Sequence, residues 1–319
     1  MAAAPSYVFD NNDPRSADRH DYLAEILDGL TVQRLSGLGD LTGRRCLEVG
    51  AGGGSIARWL ARAAGPAGRV LATDINTRYL GPVRSILPGS ATPGAAPRGV
   101  AETPSGNHPE GAPAPCDAPH QTPRSVRPRS TGQTLGPSTD FQVLRHDLST
   151  EPVPEGPWEV IHARLVLLHL PRRREILHRL AAALAPGGAL VVEDFETTFR
   201  KSVLAAPTPA AAALVDTYHR VLVEHVLPAH GNDPTWAGQV HAAMLAEGLT
   251  GLDTVVHARS WPGGTAGALL IGANIAQART DFLAAGMTHA ELDELQRLVT
   301  DPRLVVRSPL TYSTIGRRR

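Results

Sequence analysis

Apolar positions along the chain follow two rhythms that alternate. Short dense runs centred on Leu47-Glu48-Val49, Val70-Leu71-Ala72, Phe141-Gln142-Val143-Leu144, Val160-Ile161-His162-Ala163 and Leu190-Val191-Val192 read as buried strands. Between them, Ile56, Trp59 and Leu60, and later Ile176, Leu177, Leu180 and Leu184, recur at helical spacing. Ahead of the first strand, Tyr22, Leu23, Ile26, Leu27 and Leu30, then Val32, Leu35 and Leu38, predict one or two amphipathic helices; Asp13-Pro14 is their start signal. Beyond the fifth strand the pattern is helical over 211–227 and 236–245. A sixth strand is expected over 252–261, two more helices over 266–285 and 289–298, and a last strand over 303–315.

One stretch breaks the alternation. After a helix expected from Thr77 to about Leu87, residues 88–138 are Pro, Gly, Ala, Ser, Thr and Arg without apolar periodicity. Such a segment buries too little surface to offset the entropy of ordering it, so it is expected to be disordered. In a right-handed βαβ unit it falls at the sheet edge opposite the ligand crevice, and Arg124, Arg127 and Arg129 are then solvated charges.

The chemistry starts where the first strand ends. Gly50, Gly52 and Gly54 let the backbone turn sharply and approach a ligand, and the helix that follows exposes N–H groups suited to a carboxylate or phosphate. A dinucleotide fingerprint counted from Gly50 and Gly52 needs a third glycine where Ser55 stands. The chain offers instead an acid two residues before the first glycine. Acids also end the second and third strands, Asp74 and Asp147, each followed by an apolar residue, Ile75 and Leu148. An acid at the tip of strand two is placed to accept ribose hydroxyls in NAD enzymes too, so Asp74 alone does not discriminate.

The run E-x-G-x-G-x-G from Glu48 to Gly54 resembles motif I of the class I S-adenosylmethionine-dependent methyltransferases. The strand-four exit Arg164-Leu165-Val166-Leu167-Leu168-His169-Leu170-Pro171 is similar to a segment of the group that includes ubiquinone/menaquinone-type and many actinobacterial natural-product enzymes. Leu184-Ala185-Pro186-Gly187-Gly188 is similar to its next landmark. This resemblance implies an α/β, Rossmann-like sheet of seven strands whose last strand is antiparallel, slotted between strands five and six. It divides the chain into an N-terminal helical segment (1–40), a cofactor-binding core (41–87 and 139–195), the insert (88–138), a helical substrate cap (196–249) and a C-terminal completion of the sheet (250–319). It also implies S-adenosyl-L-methionine as cofactor, held by Glu48, Gly50, Ala51, Gly52, Gly54, Asp74, Ile75, Asp147, Leu148 and Arg164. Asp74 would take the ribose, and Asp147 the adenine amino group, with Leu148 against the ring.

The sulfonium of that donor is already an activated electrophile, so orientation and exclusion of water are the protein's main tasks. A general base would help an acceptor hydroxyl. His169 and Tyr22 are the candidates, with His20 and His225 behind them; Tyr7, His20 and Tyr22 could line the pocket. His162, inside a strand, reads as a satisfied core histidine. The thirteen histidines show no metal-ligand spacing, so no metal is expected.

Composition narrows the partners. Thirty-one Lys and Arg balance thirty-one Asp and Glu, which leaves no basic field for nucleic acid or an anionic membrane. The amine-methylating [D/N/S]-P-P-[Y/F] segment of base methyltransferases is absent after strand four, as is a cysteine nucleophile. Cys46 and Cys116 are poor disulfide partners and no run reaches bilayer length, so a cytoplasmic protein is expected. The expected partner is a small-molecule methyl acceptor, with a homodimer left open. A non-catalytic donor-binding protein and an NAD-dependent oxidoreductase are the alternatives.

Overall fold

The computed structural model describes Phe9 and residues 16–80, 140–198 and 201–319. Asp13-Pro14, Tyr7, the helix expected beyond Tyr79, Cys116 and the 88–138 insert lie outside the described residues, or largely so.

A seven-stranded sheet runs in the order β3-β2-β1-β4-β5-β10-β7. Its strands are β1 (Arg45–Val49), β2 (Arg69–Asp74), β3 (Asp140–Arg145), β4 (Trp158–Arg164), β5 (Leu184–Glu196), β7 (Thr250–His257) and β10 (Leu310–Arg317). The first five pair in parallel, and β10 is antiparallel to both β5 and β7, as the resemblance implied. Because β2 and β3 are added on one side of β1 and β4 and β5 on the other, the order of strand addition reverses at β1. Open parallel sheets bind ligands at the carboxyl end of such a switch point.

Alternation along each strand sorts the core into two layers. Leu47 and Val49 of β1 join Leu71, Ile161, Ala163, Leu190 and Val192 in one layer, with α3 (Arg173–Ala182) and α6 (Trp236–Ala246) over it. Cys46 joins Val70, Val160 and Val191 in the other, against Leu35 of α1 (Ser16–Ser36) and Ile56 and Leu60 of α2 (Ser55–Ala64). Burying a side chain of this size stabilises by about 1.5–3 kcal/mol, so each layer holds its helices firmly. Glu48 is next in line after Cys46 on the α1 face, which is decisive for the site.

The helical region after β5 divides differently from the expected 196–249 cap. The helix α6 packs on β5, β10 and β7, and so covers the sheet. The part that rises beyond the sheet is β6 (Val203–Ala205), α4 (Pro209–Val221), a π-turn (Leu222–Val226) and the single turn α5 (Leu227–Ala229). It joins β8 (Ser260–Pro262), α7 (Ala266–Gln277), α8 (Arg279–Ala284), α9 (His289–Leu298) and β9 (Val305–Arg307). Strands β6, β9 and β8 make a small antiparallel sheet. The expected strands at 252–261 and 303–315 are therefore each broken, the second at Ser308-Pro309, where proline has no N–H for a ladder. The early half of each broken pair differs: β7 and β10 belong to the large sheet, β8 and β9 to the small one. Among the described residues no helix is long and apolar enough to cross a membrane.

Candidate active site

The loop after β1 is built by its glycines. Gly50, Gly52 and Gly54 all have left-handed φ, at 66°, 52° and 74°. At Gly50 space is the second constraint, since a Cβ there would lie 2.3 Å from Val166 Cγ2 on the exit of β4. Ala51 N–H donates to Thr73 O of β2 at 2.9 Å, and Gly54 N–H to Ala51 O at 2.7 Å. Gly52 N–H donates to Asp74 Oδ2 at 2.8 Å, while Asn76 N–H takes Oδ1 at 2.9 Å. Burial raises the Asp74 pKa, opposed by these amides and that of Ile75.

The acids at the other two strand ends behave differently. Asp147 Oδ1 accepts from Ser149 N–H at 2.9 Å, closing a short Asx turn beyond β3. His146 N–H bonds Asp74 O at 2.9 Å, so the ends of β2 and β3 are held side by side. Glu48 is 3 % exposed, and its Oε2 lies 2.7 Å from His162 Nδ1, its register partner on β4. One of its two oxygens is thus committed to the protein interior. Of the apolar neighbours, Ile75 is 51 % exposed beside Asp74. Leu148 is instead buried in the core, its carbonyl taken by Arg179, so it is a core residue before it is a ring contact.

Arg164, expected at the cofactor, is engaged with α1. Its Nη1 donates to Asp28 Oδ1 at 2.9 Å and Thr31 Oγ1 at 3.0 Å, both on α1. It ties β4 to that helix, a role set by the guanidinium's reach and unreadable from the strand alone. The first turns of α1 bring His20 onto the loop, with Nε2 3.4 Å from the Cβ position of Gly52. Its ring meets Tyr79 edge-on, at 5.1 Å between centroids. Burial and the charge of Arg19 lower the His20 pKa to about 4. Tyr22 is half-buried against the core and does not line the cavity described next, so the structure gives it no place against an acceptor there. His225 is exposed on the π-turn.

Over the ends of β4 and β5 lies a cavity of about 110 Å³. Leu165 and Leu168 form part of its floor, with Phe195 and Thr197; Leu23 of α1, Val215 and Leu222 of the cap and Trp261, Leu270 and Val306 close it. Leu165 leaves β4 with φ 54°, a left-handed turn that swings the segment Leu167–His169 beneath the cap. His169 lines this cavity. Its partner comes from the 230–234 loop, which is pinned to the β4 exit by Asp233 N–H on Leu168 O at 2.8 Å and Arg173 on Gly231 O at 2.7 Å. There Asn232 Nδ2 lies 3.0 Å from His169 Nδ1. Desolvation, with the charges of Arg19 and Arg173, lowers the His169 pKa to about 3, so the ring is neutral.

Sequence reasoning did not find Asn232 or Thr197, both buried at the cavity wall, nor Arg19, which is 6 % exposed. Arg19 Nε bonds Asn274 Oδ1 of α7 at 3.1 Å, and its guanidinium stacks 4.2 Å from the Phe9 ring centre. Asp194 next to Glu193 is also buried, and burial raises its pKa well above the usual carboxylate value. Among the described residues no cluster of three or more His, Cys, Asp or Glu side chains could hold a metal ion.

Comparison with known proteins sets this geometry in a family. Curated relatives are methyltransferase str3 of Strobilurus tenacellus, 37% identical over 76 residues, and methyltransferase str2 of the same organism, 37% identical over 62. Those matches take in 24% and 19% of this chain and 25% and 22% of the two relatives, so the chain spans about a quarter of the length of the curated relatives it matches. Solved structures similar to it include the YcgJ protein of Bacillus subtilis (12% identity, TM-score 0.43, 86% of this chain and 92% of that one). Another is a cyclopropane-fatty-acyl-phospholipid synthase-like protein of Lactobacillus casei (13% identity, TM-score 0.47, 99% and 96%). The sequence profile of the methyltransferase domain matches residues 19–244, from the first turns of α1 through α6, and the chain belongs to the methyltransferase domain family.

Proposed function

We propose that the chain transfers a methyl group from S-adenosyl-L-methionine to a small, largely apolar acceptor held in the cavity over β4 and β5. The observation that carries this reading is the closed unit formed by the Gly50–Gly54 loop and Asp74 at a topological switch point, in a member of a methyltransferase family. The donor set suits that cofactor. Left-handed glycines leave no Cβ between the loop backbone and a ligand, a buried carboxylate stands at the strand tip for ribose hydroxyls, and Ile75 offers an exposed apolar face for a base. Asp147 extends the row of strand ends, and Glu48 keeps Oε1 for a contact. A dinucleotide reading is disfavoured at Ser55, whose Oγ is 3.0 Å from Asp28 Oδ1 where that fingerprint needs glycine for close packing.

The bound donor supplies an electrophilic methyl group; the chain supplies placement. A cavity of this size holds roughly one benzene-sized ring. Its wall carries Asn232 Oδ1 and Thr197 Oγ1, buried and with no hydrogen-bond partner among the described residues. A buried acceptor left unmade costs about 1–3 kcal/mol, so the wall favours a ligand that donates an O–H or N–H to Asn232 Oδ1. His169, its basicity lowered by burial, orients through Asn232 more readily than it takes a proton. Holding the acceptor atom in line and dry is worth on the order of 7–11 kcal/mol, enough for direct displacement without a covalent intermediate.

The test is incubation with methyl-labelled donor and a panel of single-ring phenols, anilines and their fully substituted analogues, read by mass spectrometry. Labelled product from hydroxyl- or amine-bearing rings is expected. Donor binding without turnover on the panel or on a cell extract would point to the non-catalytic reading instead.

A further inference from the structure

The two residues that flank the glycine loop, Glu48 before it and Ser55 after it, run into one chain of polar side chains. It is buried at Glu48, His162, Glu193 and Thr31 and half-buried at Arg164, Asp28 and Ser55. From Glu48 the path goes to His162, which is fully buried, and from His162 Nε2 to Glu193 Oε2 at 3.3 Å. Glu193 accepts from Thr31 Oγ1 of α1. Thr31 Oγ1 receives Arg164 Nη1, Arg164 reaches Asp28 Oδ1, and Asp28 Oδ1 accepts from Ser55 Oγ at 3.0 Å. Strands β1, β4 and β5 and helices α1 and α2 are joined in this way.

Holding α1 on the sheet does not require these groups. Its buried stripe is Leu23, Leu27, Thr31 and Leu35, and an apolar residue at Thr31 against apolar partners would pack as well or better. What directional bonds add is register. An apolar stripe can slide along a sheet; Thr31 on Glu193 and Asp28 on both Arg164 and Ser55 cannot. The register of α1 also sets where its first turns lie, and these carry His20 against Gly52 and Gly53.

We propose that this network is a positioning device for the cofactor seat, with His162 and Thr31 locking α1 and both flanks of the glycine loop into one register and so setting donor affinity without touching the donor. The proposal rests on reading the loop as the S-adenosylmethionine seat. Burial disfavours the charged ring, but the carboxylates of Glu48 and Glu193 outweigh it and keep His162 charged, so the centre of the network is an imidazolium between two carboxyl groups. Removing His162 leaves Glu48 without its anchor immediately before the loop, while removing the Thr31 hydroxyl leaves the triad intact and breaks the bond from α1 to Glu193, with Asp28 still on Arg164 and Ser55.

The experiment measures S-adenosylhomocysteine affinity by calorimetry, alongside thermal stability, in the full chain and in His162→Gln, Thr31→Val and Leu180→Ala. Leu180 is fully buried in α3 on the opposite layer, so Leu180→Ala destabilises without touching the network. His162→Gln and Thr31→Val are expected to weaken binding at least fivefold each, and together by less than the product of the two. Leu180→Ala keeps wild-type affinity at comparable loss of melting temperature. Thr31→Val is close to isosteric and carries the test if His162→Gln does not fold. Wild-type affinity in Thr31→Val and His162→Gln, or an equal loss in Leu180→Ala, overturns the positioning role. A wild-type chain that binds no S-adenosylhomocysteine overturns the reading of the seat, and the proposal with it.

Discussion

The backbone N–H of Gly52 meets the carboxylate of Asp74 at 2.8 Å, which makes the glycine loop and the tip of β2 a single unit. The same carboxylate stands at the position proposed for the ribose, so on that proposal it both shapes the seat and contacts the ligand. Asp74→Asn keeps the volume and loses the charge. Charge-assisted hydrogen bonds contribute about 1.5–3 kcal/mol, so S-adenosylhomocysteine affinity is expected to fall by roughly 10- to 150-fold. Calorimetry on the variant checks it, and unchanged affinity removes Asp74 from the ribose contact.

Gly50 is predicted to tolerate no side chain. Gly50→Ala places a Cβ 2.3 Å from Val166 Cγ2 in a left-handed backbone. The backbone strain is about 1–2 kcal/mol and the overlap about 1–3 kcal/mol, because valine cannot easily rotate away. The melting temperature should drop by several degrees, and Val166→Ala in the same chain should recover part of the loss. No recovery would place the defect in the backbone alone.

Stability should fall on the alkaline side through His162. Burial alone would lower its pKa, but the carboxylates of Glu48 and Glu193 outweigh burial and lift it from 6.5 to about 9. A raised pKa means a contribution fully present below about pH 6.5 and lost as pH rises through about 9. Glu193 behaves oppositely: burial opposes, but His162, Thr31 and Ser313 hold it near 2, so its share is present above 4.5 and lost as pH falls through about 2. Glu48 meets His162 directly, Asp194 interacts with Glu193 through its charge, and Arg164 and Asp28 connect to the pair through Thr31. Melting curves from pH 6 to 10 should decline for the wild type and flatten in His162→Gln. An equal alkaline decline in both would assign it elsewhere.

His169 should leave no mark on the pH profile near neutrality. With its pKa lowered to about 3, kcat/KM for the acceptor is expected to show no inflection near 6.5 attributable to it. His169→Ala should raise KM for the acceptor while donor affinity stays within twofold. An acid limb near neutral pH that vanishes in the variant would make His169 a general base after all.

The strands were legible because their apolar runs and terminal acids are local features. Strand breaks were less so: 303–315 reads as one apolar stretch, and only the interruption at Ser308-Pro309 separates β9 from β10. Two side chains have protein partners that the pattern did not announce, for a common reason. Arg164 and Leu148 occupy cofactor-like positions in the pattern, yet their partners, Asp28 and the buried core, depend on how α1 and the second layer dock. The Glu48–His162–Glu193 chain joins residues from β1, β4 and β5, and no spacing along the sequence announces it. Asn232 was equally silent, since its role comes from a loop folding back on the β4 exit.

The central claim is that the ends of β1, β2 and β3 form one seat for the methyl donor. Titration of the wild-type chain with S-adenosylhomocysteine, followed by competition with NAD, tests it most directly. One saturable site that NAD does not displace is predicted; absence of binding heat, or displacement by NAD, would contradict it.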